Sequence, residues 1–276
     1  MKTSKETSSC PICGINIVNE FKFSNEKMKP VLLQCFDCEL IYKDPASDKQ
    51  GLAIEKGEYY SSKKIGSIVD KRFLNHFNRR AKDHFNSLSK FLDDKKNRNV
   101  LDIGSGAGIF LKYLHERGWN VEGIEPDPVM HSYATNELGL NVYRGKFEEW
   151  NTEKIFDLVY LSHVLDDLPN VNLNLKKINS LMQPGSLIFL EVPNHSWTNR
   201  INSEKSEDLV VGHYFFSMKS LKKLVEQNNF EVLYLDTFHL VHLNTVYQKI
   251  ISPIMFLFKF RPKKYKPNLR LIAKKV

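Results

Sequence analysis

Residues 99–125 constrain the fold more than any other stretch of this chain. Val100-Leu101-Asp102-Ile103 is an apolar run carrying one acid, the pattern of a buried strand. Gly104, Gly106 and Gly108 follow and make a turn free of Cβ atoms. Behind it Ile109, Phe110, Leu111, Tyr113 and Leu114 recur at helical spacing as far as Gly118, a residue suited to end a helix. A second strand over residues 120–124 then runs into Glu125-Pro126. Strand, glycine turn and helix in this order offer backbone amides at a helix N-terminus to a ligand. A carboxylate at the end of the following strand can accept both hydroxyls of a ribose.

The glycine spacing narrows the ligand. A dinucleotide fingerprint would need glycine at position 109, where Ile109 stands, and the Gly-Lys-Ser/Thr of a phosphate-binding loop is absent. From residue 99 onward strand and helix signals alternate, with further strands read at 141–145, 156–162, 186–192, 230–238 and 268–274. This alternation predicts a doubly wound α/β sheet, mostly parallel. Ahead of it, Val69, Phe73, Phe77, Ala81, Phe85, Leu88 and Leu92 mark an amphipathic helix over 68–92, expected to pack on the main domain.

All four cysteines fall in two C-x-x-C pairs, Cys10/Cys13 and Cys35/Cys38, with 21 residues between the pairs. That spacing suits a zinc ribbon, and four thiolates leave no open coordination position, so the metal is expected to be structural. Gly14 follows the first pair, whereas Glu39 stands where glycine is usual after the second. A thiol-redox pair is the competing reading of Cys10-Pro11-Ile12-Cys13, but it leaves the second pair unexplained. The organisation read from the chain is a zinc module over 1–45, a linker, lid and helix over 46–98, and the main domain over 99–276.

The pattern D-x-G-x-G-x-G, with Asp102 ahead of the first glycine, resembles the opening motif of class I S-adenosylmethionine-dependent methyltransferases. Ser162-His163-Val164-Leu165-Asp166-Asp167 resembles the segment after the fourth strand of that family, with Asp166-Asp167 where Glu-His is usual. Gly212-His213-Tyr214-Phe215-Phe216-Ser217 and Asn229-Phe230-Glu231-Val232 are similar to a subgroup in which a two-knuckle zinc module precedes the methyltransferase domain. Many members of that subgroup resemble enzymes of sugar and surface-polysaccharide modification. The resemblance implies a seven-stranded methyltransferase sheet behind an N-terminal zinc ribbon, with S-adenosylmethionine as cofactor and structural Zn2+.

The site residues come with it. Gly104, Gly106 and Gly108 would pack against the methionine part of the cofactor and Glu125 would hold its ribose, with Asp102, Ser105 and Ser162 completing the set. Phe147 is expected to stack on the adenine and Glu148 to bond its amine. His163, His213 and Tyr214 are the candidate catalytic bases, and Tyr59-Tyr60 a candidate lid. Cys10, Cys13, Cys35 and Cys38 are the metal ligands.

Composition bounds the partners. The formal net charge is +8, with basic residues gathered in 63–98 and 259–276. Such clusters suit nucleic acid, anionic lipid or phosphorylated substrates. The expected acceptor is a small molecule or saccharide, nucleotide- or lipid-linked, methylated on oxygen or carbon. An RNA methyltransferase is the alternative, but a flipped base needs stacking aromatics where Ser162-His163-Val164-Leu165 stands. A non-enzymatic scaffold retaining the fold is the other alternative. Met1–Ser9 is polar with no apolar run behind it, and no stretch reaches the length of a membrane span, so a cytoplasmic protein is expected. The apolar run Ile250–Phe258 followed by basic residues suits either a helix packed on the sheet or peripheral contact with a membrane surface.

Overall fold

In the computed structural model, residues 9–15, 18–21, 31–44, 69–95, 97–194, 212–238 and 268–276 are described. Tyr59-Tyr60 and the segment 239–267 lie outside them. Three short strands come first: β1 (Val18–Phe21), β2 (Leu32–Cys35) and β3 (Ile41–Lys43). Helix α1 (Lys71–Leu88) follows, capped by Asp70, whose carboxylate accepts from Phe73 N at 2.8 Å. Then come β4 (Asn99–Ile103), α2 (Ile109–His115), β5 (Asn120–Ile124), α3 (Pro128–Ser132), β6 (Val142–Tyr143) and β7 (Phe156–Ser162). The chain continues through α4 (Val171–Ser180), β8 (Met182–Pro193), β9 (Tyr214–Phe215), α5 (Met218–Glu226), β10 (Phe230–Phe238) and β11 (Asn268–Lys275).

Seven strands form the main sheet in the order β10-β11-β8-β7-β4-β5-β6. The pairs among β4 to β8 are parallel and β11 runs antiparallel between β8 and β10. Parallel strands are covered on both faces, so their sequences read as continuous apolar runs. The alternation of neighbours divides them between two cores. Val100, Leu158, Tyr160 and Phe189 face α1 and α2 with Leu88 and Phe110. Leu101, Val159, Leu161, Ile188 and Leu190 face α4 and α5 with Leu175, Ile178, Leu221 and Leu224. Asp157 ties the strand starts together: its Oδ2 accepts from Asn99 N at 2.9 Å and its Oδ1 from Lys95 Nζ at 2.5 Å.

The cysteine region is not an independent unit. Its sheet has the order β1-β2-β3-β9, and the last strand is supplied by Tyr214–Phe215, more than 170 positions further along the chain. Ile41 pairs with Phe215 and Tyr42 with Tyr214, while Lys43 N donates to His213 O at 3.1 Å. Cys10, Ile12, Leu33, Leu40 and Tyr42 pack in the same core as Leu101 and Leu161. Among the described residues no helix is long and apolar enough to cross a membrane.

Candidate cofactor site and cysteine cluster

Strand order reverses at β4: β5 and β6 lie to one side of it, β7 and β8 to the other. Open α/β sheets bind ligands at such a switch point, beyond the carboxyl ends of the strands. Here the glycine turn occupies that position. Gly104 N and Ser105 N donate to Ile124 O at 2.8 and 3.0 Å, which hooks the turn onto the end of β5. Gly104 has φ +73, and a Cβ there would lie 2.3 Å from Val164 Cγ2, so no larger residue fits. Gly106, also left-handed at φ +54, faces open space in which a Cβ would meet nothing within 4 Å. Gly108 forms the N-cap of α2.

Glu125 closes the turn from below. Its Oε2 accepts from Gly106 N at 2.6 Å and its Oε1 from Asp127 N at 2.8 Å. Burial pushes its carboxyl up to about 7, against the pull of the two amides. Asp102 is fully enclosed: burial and then the Glu125 charge push its carboxyl well above the usual range, with Arg80 acting the other way. A cavity of about 180 Å³ opens among these groups, bounded by Gly104–Ala107, Asp102, Glu125 and Ser162 and by a stripe of α1. The stripe is Phe73, Phe77, Arg80 and His84, four residues that recur at helical spacing on one face.

Behind the cavity lies a buried charged hub. Glu191, on β8, is fully shielded from solvent. Arg80 donates to its Oε1 at 2.8 Å, and Arg270 donates to its Oε2 from Nε at 3.2 Å and from its amino group at 3.0 Å. His84 Nε2 and His163 Nε2 approach it at 2.9 and 3.3 Å, ion-pair distances without hydrogen-bond alignment. Burial opposes the charge on Glu191, but the two histidines and Arg80 outweigh it and hold the carboxyl well below its ordinary value. Burial pushes His84 the other way, toward the neutral ring, and its Nδ1 lies 2.5 Å from the Tyr160 hydroxyl.

The sequence-read residues separate into two groups. Asp102, Gly104, Ser105, Gly106, Glu125 and Ser162 line one cavity, and Gly108 caps the helix behind it. Phe147 does not line it. Its ring is 2% exposed in the core, with Lys177 Nζ 4.8 Å above it, so the expected adenine stacking is replaced by a cation–π contact inside the protein. Glu148 is exposed, bonded from Asn174 Nδ2 at 3.3 Å. Tyr214 is also turned inward: it is 9% exposed, its hydroxyl accepts from Val171 N at 3.5 Å, and burial raises the pKa of its phenol above the ordinary value. It supports α4 rather than the cavity. His213 N donates to Asp166 O at 2.8 Å, which places its segment beside the loop after β7. His163, at φ +57, sits at the end of β7 on the ligand side of the sheet.

Sequence reasoning missed Arg80, His84 and Glu191. The available signal was a cation and an imidazole on the apolar stripe of an otherwise amphipathic helix.

In the cysteine region, the four sulfurs lie within 4.8 Å of one another, with Cys10–Cys38 at 3.5 Å and Cys13–Cys35 at 3.4 Å. Tetrahedral zinc with Zn–S of about 2.3 Å would hold its sulfurs about 3.8 Å apart, so the donor set fits that ion. The two knuckles repeat one hydrogen-bond pattern. Gly14 N donates to Cys10 O at 2.9 Å and Glu39 N to Cys35 O at 3.0 Å, while Cys10 N reaches Ile15 O at 3.0 Å and Cys35 N reaches Leu40 O at 2.9 Å. Glu39 adopts the same left-handed backbone as Gly14, at φ +65 against +70.

The glycine turn, the buried acid Glu125 after β5 and the switch point stand together on the fold of the methyltransferases. The chain belongs to the methyltransferase-domain family, whose model matches residues 73–235. It is similar to a ubiquinone biosynthesis O-methyltransferase of Rickettsia bellii, 25% identical over 129 residues that cover 45% of this chain and 50% of the relative. A malonyl-[acyl-carrier protein] O-methyltransferase of Ilyobacter polytropus is 31% identical over 112 residues, covering 34% of this chain and 42% of the relative. The chain spans about half the length of the curated relatives it matches. A crystal structure of an S-adenosylmethionine-dependent methyltransferase from Archaeoglobus fulgidus shares the fold, with a TM-score of 0.54 at 24% identity, over 75% of this chain and 100% of that one.

Proposed function

We propose that the protein transfers the methyl group of S-adenosylmethionine to an oxygen of a small, hydroxyl-bearing acceptor of saccharide type. The observation that carries the transfer is the cavity at the switch point, where the glycine turn, Asp102 and Glu125 converge. When bound, the cofactor supplies an electrophilic methyl group on a sulfonium. Displacement at that carbon is in line, so alignment and exclusion of water provide most of the catalysis. The apolar lining of Phe73, Phe77, Phe110 and Met130 serves the second requirement.

A hydroxyl acceptor must lose a proton as it is methylated. His163 is the residue we assign to receive it, since it stands at the end of β7 and its Nε2 meets Glu191 Oε1 at 3.3 Å. Glu191 would orient the ring and stabilise the imidazolium. His213 is the second candidate, immediately before β9 and bonded through its backbone to both the cysteine sheet and the loop after β7. Structural zinc on Cys10, Cys13, Cys35 and Cys38 completes the reading.

The saccharide assignment rests on the resemblance of the Gly212–Ser217 and Asn229–Val232 segments to the zinc-module subgroup. The basic clusters suit an acceptor carrying phosphates. A second reading, methylation of RNA, is favoured by the net charge of +8. Radiolabelled S-adenosylmethionine offered with nucleotide-linked sugars and, separately, with total RNA distinguishes them. Label entering a sugar is the expected result; label entering RNA alone contradicts it.

A further inference from the structure

Surface cations on α2 and α5 face carboxylates. Lys112 meets Glu116 at 3.8 Å, and Lys219, Lys222 and Lys223 meet Glu39, Glu226 and Asp37. Helix α1 differs. Its outward side carries Lys71, Arg72, Arg79 and Lys82, all exposed, and none has a carboxylate within ion-pair distance among the described residues. The rest of that side is asparagine apart from Asp83, whose carboxylate is drawn onto Arg270 at 2.7 Å. The four cations recur at helical spacing and form one row about 17 Å long. Like charges one turn apart, as in Arg79 and Lys82, work against the helix that carries them. An anionic partner of matching extent compensates them.

The kind of polyanion follows from what surrounds the row. Single-stranded RNA needs aromatic rings on which bases can stack, and the exposed residues of α1 include none. The row also adjoins the open end of the β10–β11 hairpin. Phe238 pairs with Asn268 there, and the Arg270 guanidinium lies 4.1 Å from the Phe238 ring while it bonds Asp83 and Ser87 on α1. The chain between those paired residues, 239–267, lies outside the described residues, but its sequence holds the apolar run Ile250–Phe258 followed by Lys259, Arg261, Lys263, Lys264 and Lys266. Apolar residues followed by cations serve no purpose on a nucleic acid and suit the surface of an anionic bilayer.

We infer that the outward face of α1 docks on an anionic membrane surface, with Lys71, Arg72, Arg79 and Lys82 meeting the lipid phosphates. The inward face of the same helix lines the cofactor cavity, so docking brings that cavity within about one helix diameter, roughly 10 Å, of the headgroups. An acceptor carried on a lipid is then presented close to the methyl donor. That consequence rests on the methyltransferase reading above; the docking itself does not.

The test is co-sedimentation of the full chain with vesicles of phosphatidylcholine alone and of phosphatidylcholine mixed with phosphatidylglycerol at roughly 3:1. The wild-type protein should pellet with the anionic vesicles and stay in solution with the neutral ones. Raising the salt from about 0.1 M to about 1 M should release it, because the screening length falls from about 10 Å to about 3 Å. Each cation at such a surface contributes about fivefold in affinity, so a variant with Lys71, Arg72, Arg79 and Lys82 all replaced by Gln should bind anionic vesicles about a hundredfold or more weaker. Its thermal unfolding midpoint should match wild type, since all four side chains are exposed. A second variant, Lys71→Arg with Lys82→Arg, keeps the charge and should bind as wild type does.

No binding to anionic vesicles overturns the inference, and RNA binding in its place would name the other polyanion. Equal binding to both vesicles overturns it as well, and so does full anionic binding by the variant with four Gln. The methyltransferase reading is tested apart from all of these, by S-adenosylhomocysteine binding without vesicles.

Discussion

The floor of the cofactor cavity and the cysteine sheet are built on opposite plans. From β4 to Glu125 the chain lays down strand, turn, helix and strand without interruption, and the hydrogen bonds that shape the turn stay within that stretch, as from Gly106 to Glu125. The cysteine sheet instead takes three strands from the first 43 residues and its fourth from Tyr214–Phe215. One region is local and would be recognisable in a fragment. The other exists only once the main domain has folded and brought β9 against β3. The cysteine region, which reads in the sequence as an appendage, is therefore tied into the main domain through the pairing of β3 with β9.

The strongest way to break this comparison is to remove one of the four thiolates proposed to hold zinc. Cys35→Ser should cost the module its fold, because structural zinc supplies on the order of 10 kcal/mol to such small units. Yet the cavity is lined by residues from α1, α2, α3, β4 and β7 and the turns after β4 and β5, none of them in the cysteine sheet. Calorimetry with S-adenosylhomocysteine should find affinity within about threefold of wild type, even as limited proteolysis opens the chain between residues 31 and 44. Parallel loss of cofactor affinity would show that the two regions are one cooperative unit.

A smaller effect comes from pH. Burial raises Glu125 to about 7 in the cofactor-free protein, and only the ionised carboxylate can accept from both ribose hydroxyls. Affinity for S-adenosylhomocysteine should therefore fall as pH drops below about 7, approaching tenfold per unit. The stability of the free protein runs the opposite way. A carboxyl raised by folding favours the fold below its unfolded value, and that contribution is lost as pH rises through about 7. A pH-independent affinity between about pH 6 and pH 8 would remove the ionised Glu125 from cofactor binding.

The smallest effect sharpens the comparison inside the cysteine region. Glu39 holds a left-handed backbone that Gly14 adopts without strain in the matching knuckle. Its ion pair with Lys219, 3.9 Å long and exposed, offers little in return. Glu39→Gly should stabilise the zinc-loaded module by about 1 kcal/mol, read from its chemical unfolding. A destabilised variant would mean that the Glu39 side chain contributes more than its backbone costs.

This division also accounts for what could be read from the sequence. The strand at 156–162 is found as Phe156–Ser162, because a long apolar run leaves little freedom in where a buried strand begins, and that at 230–238 as the edge strand Phe230–Phe238. The glycine turn and Glu125 were legible for the same reason as the knuckles: backbone geometry and metal coordination demand particular residues at fixed spacing. β9 was not legible. Two residues show no periodicity, and their partner lies in β3, far away in sequence. Phe147 misled because an aromatic after a strand suits adenine or core equally well, and only Lys177, arriving from α4, decides between them. Arg80 and His84 were hidden among the basic residues of 63–98, where the charge cluster pointed to anionic partners.

The most direct test of the whole account is thermal unfolding of the zinc-loaded protein with and without S-adenosylhomocysteine, beside the variant Glu125→Ala. At about 100 times its dissociation constant a ligand stabilises the native state by about 2.7 kcal/mol, a shift of a few degrees in a chain this size. The account predicts that shift in the wild-type protein and its loss in Glu125→Ala. No shift in the wild-type protein at roughly millimolar ligand, or an equal shift in both proteins, would contradict it.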